Sequence, residues 1–342
     1  MLTGNKNIKL ILNYVVGPLV FCILVYSIYT QVQQQPDWRQ SLHHLVEGFS
    51  LRSFWYLLSA FILMFVNWGL EAKKWQLALR AVEPISFRRA LGSIFSGTTM
   101  GFFTPNRIGE YFGRVLFVKE NARISSVALT IMCGTAQLLI TLIAGFAGLF
   151  FIRSYITETG TAMSTGFWIQ MLMYIVLPMA MILLLFYFRL AWMVSWINRL
   201  AIAQKISKYL EVLGNFELTM LLRILLVSFI RYLVFILQYF LLLQVFEVEL
   251  NWWQTFWSMS VIFLVLAVIP SIAIFTDLGI RWKASLQFLA LFSSNTVGIL
   301  GASLSIWLIN LVIPAIIGSM LIFSIRIFNT GRENYLRDTD YT

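Results

Sequence analysis

The stretch Thr104-Pro105-Asn106-Arg107-Ile108-Gly109-Glu110-Tyr111-Phe112-Gly113-Arg114 concentrates groups able to grip an anion. Thr104 is a good N-cap, and Pro105 suits the first helical position because its missing N–H would find no partner there. A short helix is therefore expected to start at Pro105, with free N–H groups and a partial positive charge at its end. Arg107, Glu110 and Arg114 recur at spacings of three and four, which puts them on one helix face. Glu110 can neutralise one arginine and leave the other for phosphate, which a guanidinium matches with paired hydrogen bonds. A salt-bridge ladder that merely secures the segment fits the same spacing. Gly97 and Gly101, just upstream, favour the binding reading, because glycine lets backbone come close to a ligand.

Other polar groups stand where few are tolerated. Trp68, Glu71, Lys74 and Trp75 share one face at the end of an apolar run, and taken alone they read as an interfacial anchor. Arg231 sits about seven residues, or roughly 11 Å by helix rise, inside another run and faces Gln238 one heptad on. An arginine at such depth is a functional candidate, although packing against Glu71 or Glu110 explains it equally. Asp277 and Arg281 share a face and can pair. Gln137, alone in a long apolar span, reads as helix–helix glue.

Composition says what must position these residues. Of 342 residues, 59% are hydrophobic and 12% charged, with a mean hydropathy of +0.81. That is about half the charge a soluble domain carries, too little to cover a water-facing surface. A soluble enzyme, a disordered chain and a disulfide scaffold are excluded. The 25 Lys and Arg against 15 Asp and Glu report membrane topology and anionic headgroups, and no segment is long enough to build a nucleic-acid face. Cys22 and Cys133 lie in apolar runs, and the two histidines, His43 and His44, in a polar loop, which leaves no histidine for intramembrane chemistry or metal binding. There is no phosphate-binding GxxxxGK[ST] loop and no Gly-x-Ser-x-Gly elbow. No cofactor is expected.

Charge-free windows then count the spans, since a helix needs about 20 apolar residues to cross a bilayer. They fall at 10–29, 53–70, 124–152, 167–188 and 250–276, with 224–246 a further apolar run that holds Arg231. The charge-free run 284–325 is too long for one span and should break at Ser293-Ser294-Asn295-Thr296. Residues 90–106 are uncharged but rich in Gly, Ser and Thr, with basic residues on both flanks, which fits a re-entrant hairpin. The expectation is an all-α polytopic membrane protein of about six to eight spans, one transmembrane domain over 1–342. Its halves would be 53–152 and 224–325, joined by an amphipathic cytoplasmic connector at 189–223. Lys6, Lys9, Arg326, Arg332 and Arg337 place both termini in the cytoplasm. Residues 254–292 are either a second hairpin or full crossings. As a hairpin they complete an inverted repeat of span, hairpin and span, a common transporter plan.

These motifs carry a resemblance. Asn67-Trp68-Gly69-Leu70-Glu71-Ala72-Lys73-Lys74-Trp75, the Gly-rich run, Thr104 to Arg114, and Pro270 with Leu278-Gly279-Ile280-Arg281 resemble the lysylphosphatidylglycerol synthase transmembrane-region family. The resemblance covers about 45–325 and implies an inner-membrane protein that moves a polar-headed lipid between leaflets. The aminoacyltransferase domain of bifunctional relatives is not among these 342 residues, so transferase activity is not expected. One motif departs: where the family usually has Gly-Gly-Leu-Gly-x-Arg-Glu, this chain has Thr276-Asp277-Leu278-Gly279-Ile280-Arg281-Trp282. The expected site is then Thr104, Pro105, Asn106, Arg107, Glu110, Arg114, Arg231 and Arg281 around an anionic or zwitterionic headgroup. Glu71, Lys74, Asp277 and Gln238 would support it. A membrane enzyme acting on lipid-linked substrates, an accessory scaffold subunit and a small-solute transporter are the alternatives.

Overall fold

The computed structural model describes Tyr26 and residues 50–158, 163–189, 216–270 and 274–322. The expected span at 10–29, most of the connector at 189–223 and Arg326, Arg332 and Arg337 lie outside the described residues. Among the described residues every regular element is helical. In chain order these are α1 Leu51–Leu79, α2 Phe87–Phe102, a 3-10 turn Pro105–Arg107, α3 Gly109–Val115, α4 Arg123–Glu158 and α5 Met163–Phe188. Then come α6 Leu218–Val245, α7 Trp252–Val268, α8 Ile274–Leu289 and α9 Thr296–Trp307, which a π turn at Leu308–Val312 carries on. Five stretches are long and apolar enough to cross a membrane: Leu51–Leu79, Glu120–Tyr155, Gln170–Phe188, Leu218–Val245 and Thr296–Ile322. The chain is an all-α, multi-pass membrane protein.

Local sequence sets the helix starts. Ser50 accepts from the Ser53 N–H at 3.2 Å and Ser86 from the Arg89 N–H at 3.3 Å, each capping a new helix. Asn251 and Gln254 form a reciprocal capping box at α7. The break expected at 293–296 is where Asn295 caps α9, accepting from the Gly298 N–H at 2.8 Å. α5 is apolar all round, and half-exposed Ile175, Met179, Ile182 and Leu185 give it a lipid-facing side.

Between the spans lie two short-armed pairs. α2 runs 16 residues, turns, and returns as the 7-residue α3. α7 and α8, of 17 and 16 residues, pack against each other in the same way. Neither arm of the second pair reaches the roughly 20 residues a crossing needs, which accords with the hairpin alternative for residues 254–292. Both ends of that hairpin lie on one side. Asn295, just before α9, donates to the carbonyls of Phe246 and Glu247, just after α6.

Glycine sets how the arms approach. A Cβ on Gly113 would run into the Ser96 carbonyl and within 2.6 Å of Gly97 Cα, so α2 and α3 touch backbone to backbone. Gly97 and Gly101 face the side chains of Arg114 and Glu110, and Gly101 also lines the small cavity beside the hairpin. Their smallness closes the hairpin. The first arm of each hairpin also leans on the closing span of the other half. Thr99 of α2 donates to the Ala315 carbonyl at 2.7 Å, beside a Gly318 whose Cβ would strike the Phe95 carbonyl. α7 meets α4 at Gly148, whose Cβ would lie 2.8 Å from the Trp257 carbonyl.

Gly318→Leu should therefore cost about 1–3 kcal/mol through overpacking. Gly134→Ala in α4, where nothing lies within 4 Å of an added Cβ, should stabilise by about 0.5–1 kcal/mol through helix propensity. Thermal unfolding of both variants in the same detergent checks the pair, and equal shifts would refute the contact.

α1 and α6 pack side by side at the centre. Gln238 belongs to this seam. It is fully buried and donates to the Ala60 carbonyl of α1 at 2.9 Å, so it joins two helices. Seven positions turn only about 20° round a helix, so Gln238 shares the α1-facing side of α6 with Arg231, and its contact with α1 claims the side chain.

Candidate functional site

The tip of the first hairpin is built differently from the helix start that its residue types suggest. Pro105–Arg107 is a single 3-10 turn, and Asn106 and Arg107 both adopt left-handed backbone, at φ 48° and 57°. The α-helix proper begins only at Gly109. Its first donors are already engaged: Gly109 N–H donates to Thr104 Oγ1 at 2.7 Å, and Arg107 N–H to the Thr104 carbonyl at 3.1 Å. Thr104 thus caps α3 from five residues away, and the expected ring of free N–H groups at Pro105 is not formed. Two consecutive non-glycine residues in this backbone region store roughly 1–3 kcal/mol each, as functional turns often do. What the turn achieves is the placement of Arg107, half exposed, at the hairpin's tip.

Below the tip lies a buried charge cluster centred on Glu71 of α1. Its carboxylate takes Lys74 at 2.7 Å, Arg114 of α3 at 2.9 Å and Arg231 of α6 at 3.2 Å. Glu110 pairs with Arg114 and, more loosely, with Arg107 at 3.8 Å. Of the two arginines on this helix face, Arg114 is the one neutralised and buried, and Arg107 the one left available. Arg114 also lies over the Trp75 ring and Arg231 over the Trp68 ring, at 5.3 and 5.8 Å from the ring centroids. Glu71 and Lys74 are therefore the centre of the interior and not an interfacial anchor. Gln137, read above as glue, accepts from Arg231 at 3.3 Å.

From the second hairpin, Arg281 donates to the Tyr239 hydroxyl at 2.9 Å and pairs with Asp277 at 3.4 Å. Asn67 of α1 donates to Asn310, in the π turn after α9, at 3.0 Å. The two halves thus exchange polar contacts in mirrored fashion. The leading span of each half, through Asn67 or Arg231, reaches the closing span of the other, through Asn310 or Gln137.

These groups line cavities that meet at Arg107. One, of about 110 Å³, is bounded by Asn67, Trp68, Thr104, Arg107, Arg231, Asp277, Arg281, Trp307 and Asn310. A second, of about 350 Å³, lies on the other side of Arg231 and Trp68, against Glu71, Lys74, Asn106, Glu110, Arg114 and Gln137. A third, of about 340 Å³, separates Asn106 and Arg107 from Leu266, Ala267, Val268, Ile269 and Pro270. The tips of the two hairpins therefore face each other across a gap with a polar and an apolar wall. Exposed Phe103, Ile108 and Phe112 continue the apolar surface from the first tip.

Of the residues expected at the site, Thr104, Asn106, Arg107, Glu110, Arg114, Arg231 and Arg281 line these connected cavities, with Glu71, Lys74 and Asp277 beside them. Pro105 lies in the tip turn and Gln238 in the α1–α6 seam. Trp307 and Asn310 were missed. The available signal was a lone amide deep in an apolar run, as with Gln137.

The sequence matches the family described as lysylphosphatidylglycerol synthase TM region over residues 14–318. No curated protein matches the chain.

Proposed function

The chain belongs to the lysylphosphatidylglycerol synthase TM-region family, and from that premise we propose that it carries a phosphate-bearing lipid between the leaflets of the inner membrane, as a transporter and not as an enzyme. The observation that carries this reading is the meeting, at Arg107, of a cationic cavity and a gap with one apolar wall, Leu266 to Pro270, between the two hairpins. A lipid has those two requirements: a polar head that must leave water and acyl chains that stay in hydrocarbon. The head would sit among Arg107, Arg231 and Arg281, and the chains would pass between the tips along Leu266, Val268 and Ile269.

Positive-inside topology supports placing both termini and the open end of the first hairpin in the cytoplasm. The second hairpin would then enter from the outside, and the site would be reached from either leaflet by parting one tip or the other. An accessory scaffold is the second reading. It accounts for the ion pairs of Glu71, but not for cavities that reach them.

The direct test is leaflet exchange of labelled phospholipid in proteoliposomes. Arg107→Ala is expected to slow it roughly tenfold or more, the worth of one charge-assisted hydrogen bond or slightly over. Because Arg107 is half exposed, the variant should fold. Exchange at the rate of the unmodified protein would overturn the assignment.

A further inference from the structure

Resting on the lipid-transport reading, we propose that the phosphoryl group this site takes is doubly anionic, a phosphomonoester or a diphosphate, and not a phosphodiester or a zwitterion. The first argument is charge. Around the two cavities on either side of Arg231, the cations are Lys74, Arg107, Arg114, Arg231 and Arg281, and the carboxylates are Glu71, Glu110 and Asp277. Five against three leaves a surplus of two positive charges around these cavities, with Arg107 half exposed at their mouth and the other cations buried or largely so. Charge at such depth is expensive unless paired. A dianion neutralises the surplus, whereas a phosphodiester leaves one cation without a counter-charge.

The second argument is the state of the carboxylates. Glu71 is engaged by three cations, Glu110 by two and Asp277 by Arg281. A zwitterionic head brings an ammonium group, and every carboxylate lining these cavities already has a cation. An ammonium would have to displace a guanidinium, with no net gain of charge pairing.

The third argument is the hydrogen-bond inventory of the smaller cavity. Among the residues lining it, Trp68 Nε1, Arg231 Nε, Arg281 Nε, Trp307 Nε1 and Asn310 Nδ2 are buried donors without a hydrogen-bond partner among the described residues. Asn67 Oδ1 is the corresponding acceptor. Trp68, Trp307 and Asn310 are each more than nine-tenths buried. Five donors against one acceptor call for a ligand made almost wholly of acceptors. A phosphomonoester presents three terminal oxygens and a diphosphate more, and both accept without donating.

The experiment uses the full chain in nanodiscs of phosphatidylcholine at pH 8, where a phosphomonoester carries close to two charges because its second pKa is about 6. Phosphatidic acid, phosphatidylglycerol and phosphatidylethanolamine are added in turn, and retention is read by native mass spectrometry. Glycerol 3-phosphate in solution is the water-soluble arm. Phosphatidic acid should be retained roughly tenfold more tightly than phosphatidylglycerol, about the worth of one charge-assisted pair. Arg107→Gln lowers the surplus to one and should bring the two lipids level. Equal retention by the unmodified protein would overturn the dianion inference and leave lipid transport standing. Retention of no anionic lipid would overturn both. Glycerol 3-phosphate held as tightly as phosphatidic acid would mean the ligand is a soluble phosphate and not a lipid head. A preference that survives Arg107→Gln would overturn the charge-surplus argument.

Discussion

Glu71→Gln is expected to be the most destabilising single substitution in the described interior. Glutamine keeps the shape and removes the charge, so nothing else in the packing changes. Lys74 and Arg231, each within 3.2 Å of Glu71, would lose their carboxylate, and Arg114 would keep Glu110 alone. Breaking a buried ion pair from one side costs about 3–5 kcal/mol, because the remaining charge stays buried and uncompensated. Here three cations share that carboxylate, so the upper end of the range applies. Glu110→Gln should cost less, since Glu110 is about one-quarter exposed and one of its partners, Arg107, is half exposed. The measurement is thermal unfolding in detergent, with Glu71→Gln, Glu110→Gln and the double variant Glu71→Gln/Lys74→Met compared. Removing Lys74 together with Glu71 deletes one of the stranded cations and should recover part of the loss. If Glu71→Gln unfolds within a degree or so of the unmodified protein, the cluster is hydrated and Glu71 is not its centre.

The centrality of Glu71 was the least legible part of the site. In the sequence, Glu71 and Lys74 end an apolar window, and ending a window is what interfacial residues do. α1 does not stop there, however. It continues to Leu79, α2 and α6 pack against it, and Arg114 of α3 reaches Glu71, so the window's end lies inside the protein. Hydropathy reports where charge begins, not whether other helices cover it. The same limit applies to Asn67 and Asn310, whose contact spans most of the chain and has no local signature. Gly97 and Gly101 were legible as close-approach residues: both take α3 side chains, and Gly101 also lines the smaller cavity.

What the sequence did reveal has local physical causes. Apolar run lengths located α1, α4, α5 and α6, because a bilayer imposes a minimum span. Gly and Ser enrichment with basic flanks marked the first hairpin, because backbone at that depth must pack tightly on itself. The helix expected at Pro105 was displaced to Gly109, because the turn there places Asn106 and Arg107 in left-handed backbone before a helix can begin. Residue preferences at caps describe an average helix start. A hairpin tip must also reverse the chain within a few residues.

Arg231→Lys is the substitution expected to separate stability from function most widely. Lysine preserves the charge, so the ion pair with Glu71 and the electrostatic balance of the interior persist, and unfolding should shift by about 1–2 kcal/mol, the worth of the partly buried cation–π contact with Trp68. Arg231, however, does two things a single ammonium cannot. One terminal nitrogen is held between Glu71 and Gln137, at 3.2 and 3.3 Å, while its plane lies over Trp68. Its Nε is buried and without a partner among the described residues, on a side chain that lines the cavities on both sides. The guanidinium is thereby fixed by protein at one nitrogen and offers a donor at another. A lysine that pairs with Glu71 has a single nitrogen to do both and no plane to stack. Losing a charge-assisted donor costs about 1.5–3 kcal/mol of headgroup binding, so lipid exchange should fall roughly ten- to hundredfold. Exchange and unfolding measured on the same preparation distinguish the outcomes. Loss of both together would make Arg231 a packing residue, and retention of both would place the headgroup away from the wall between the two cavities.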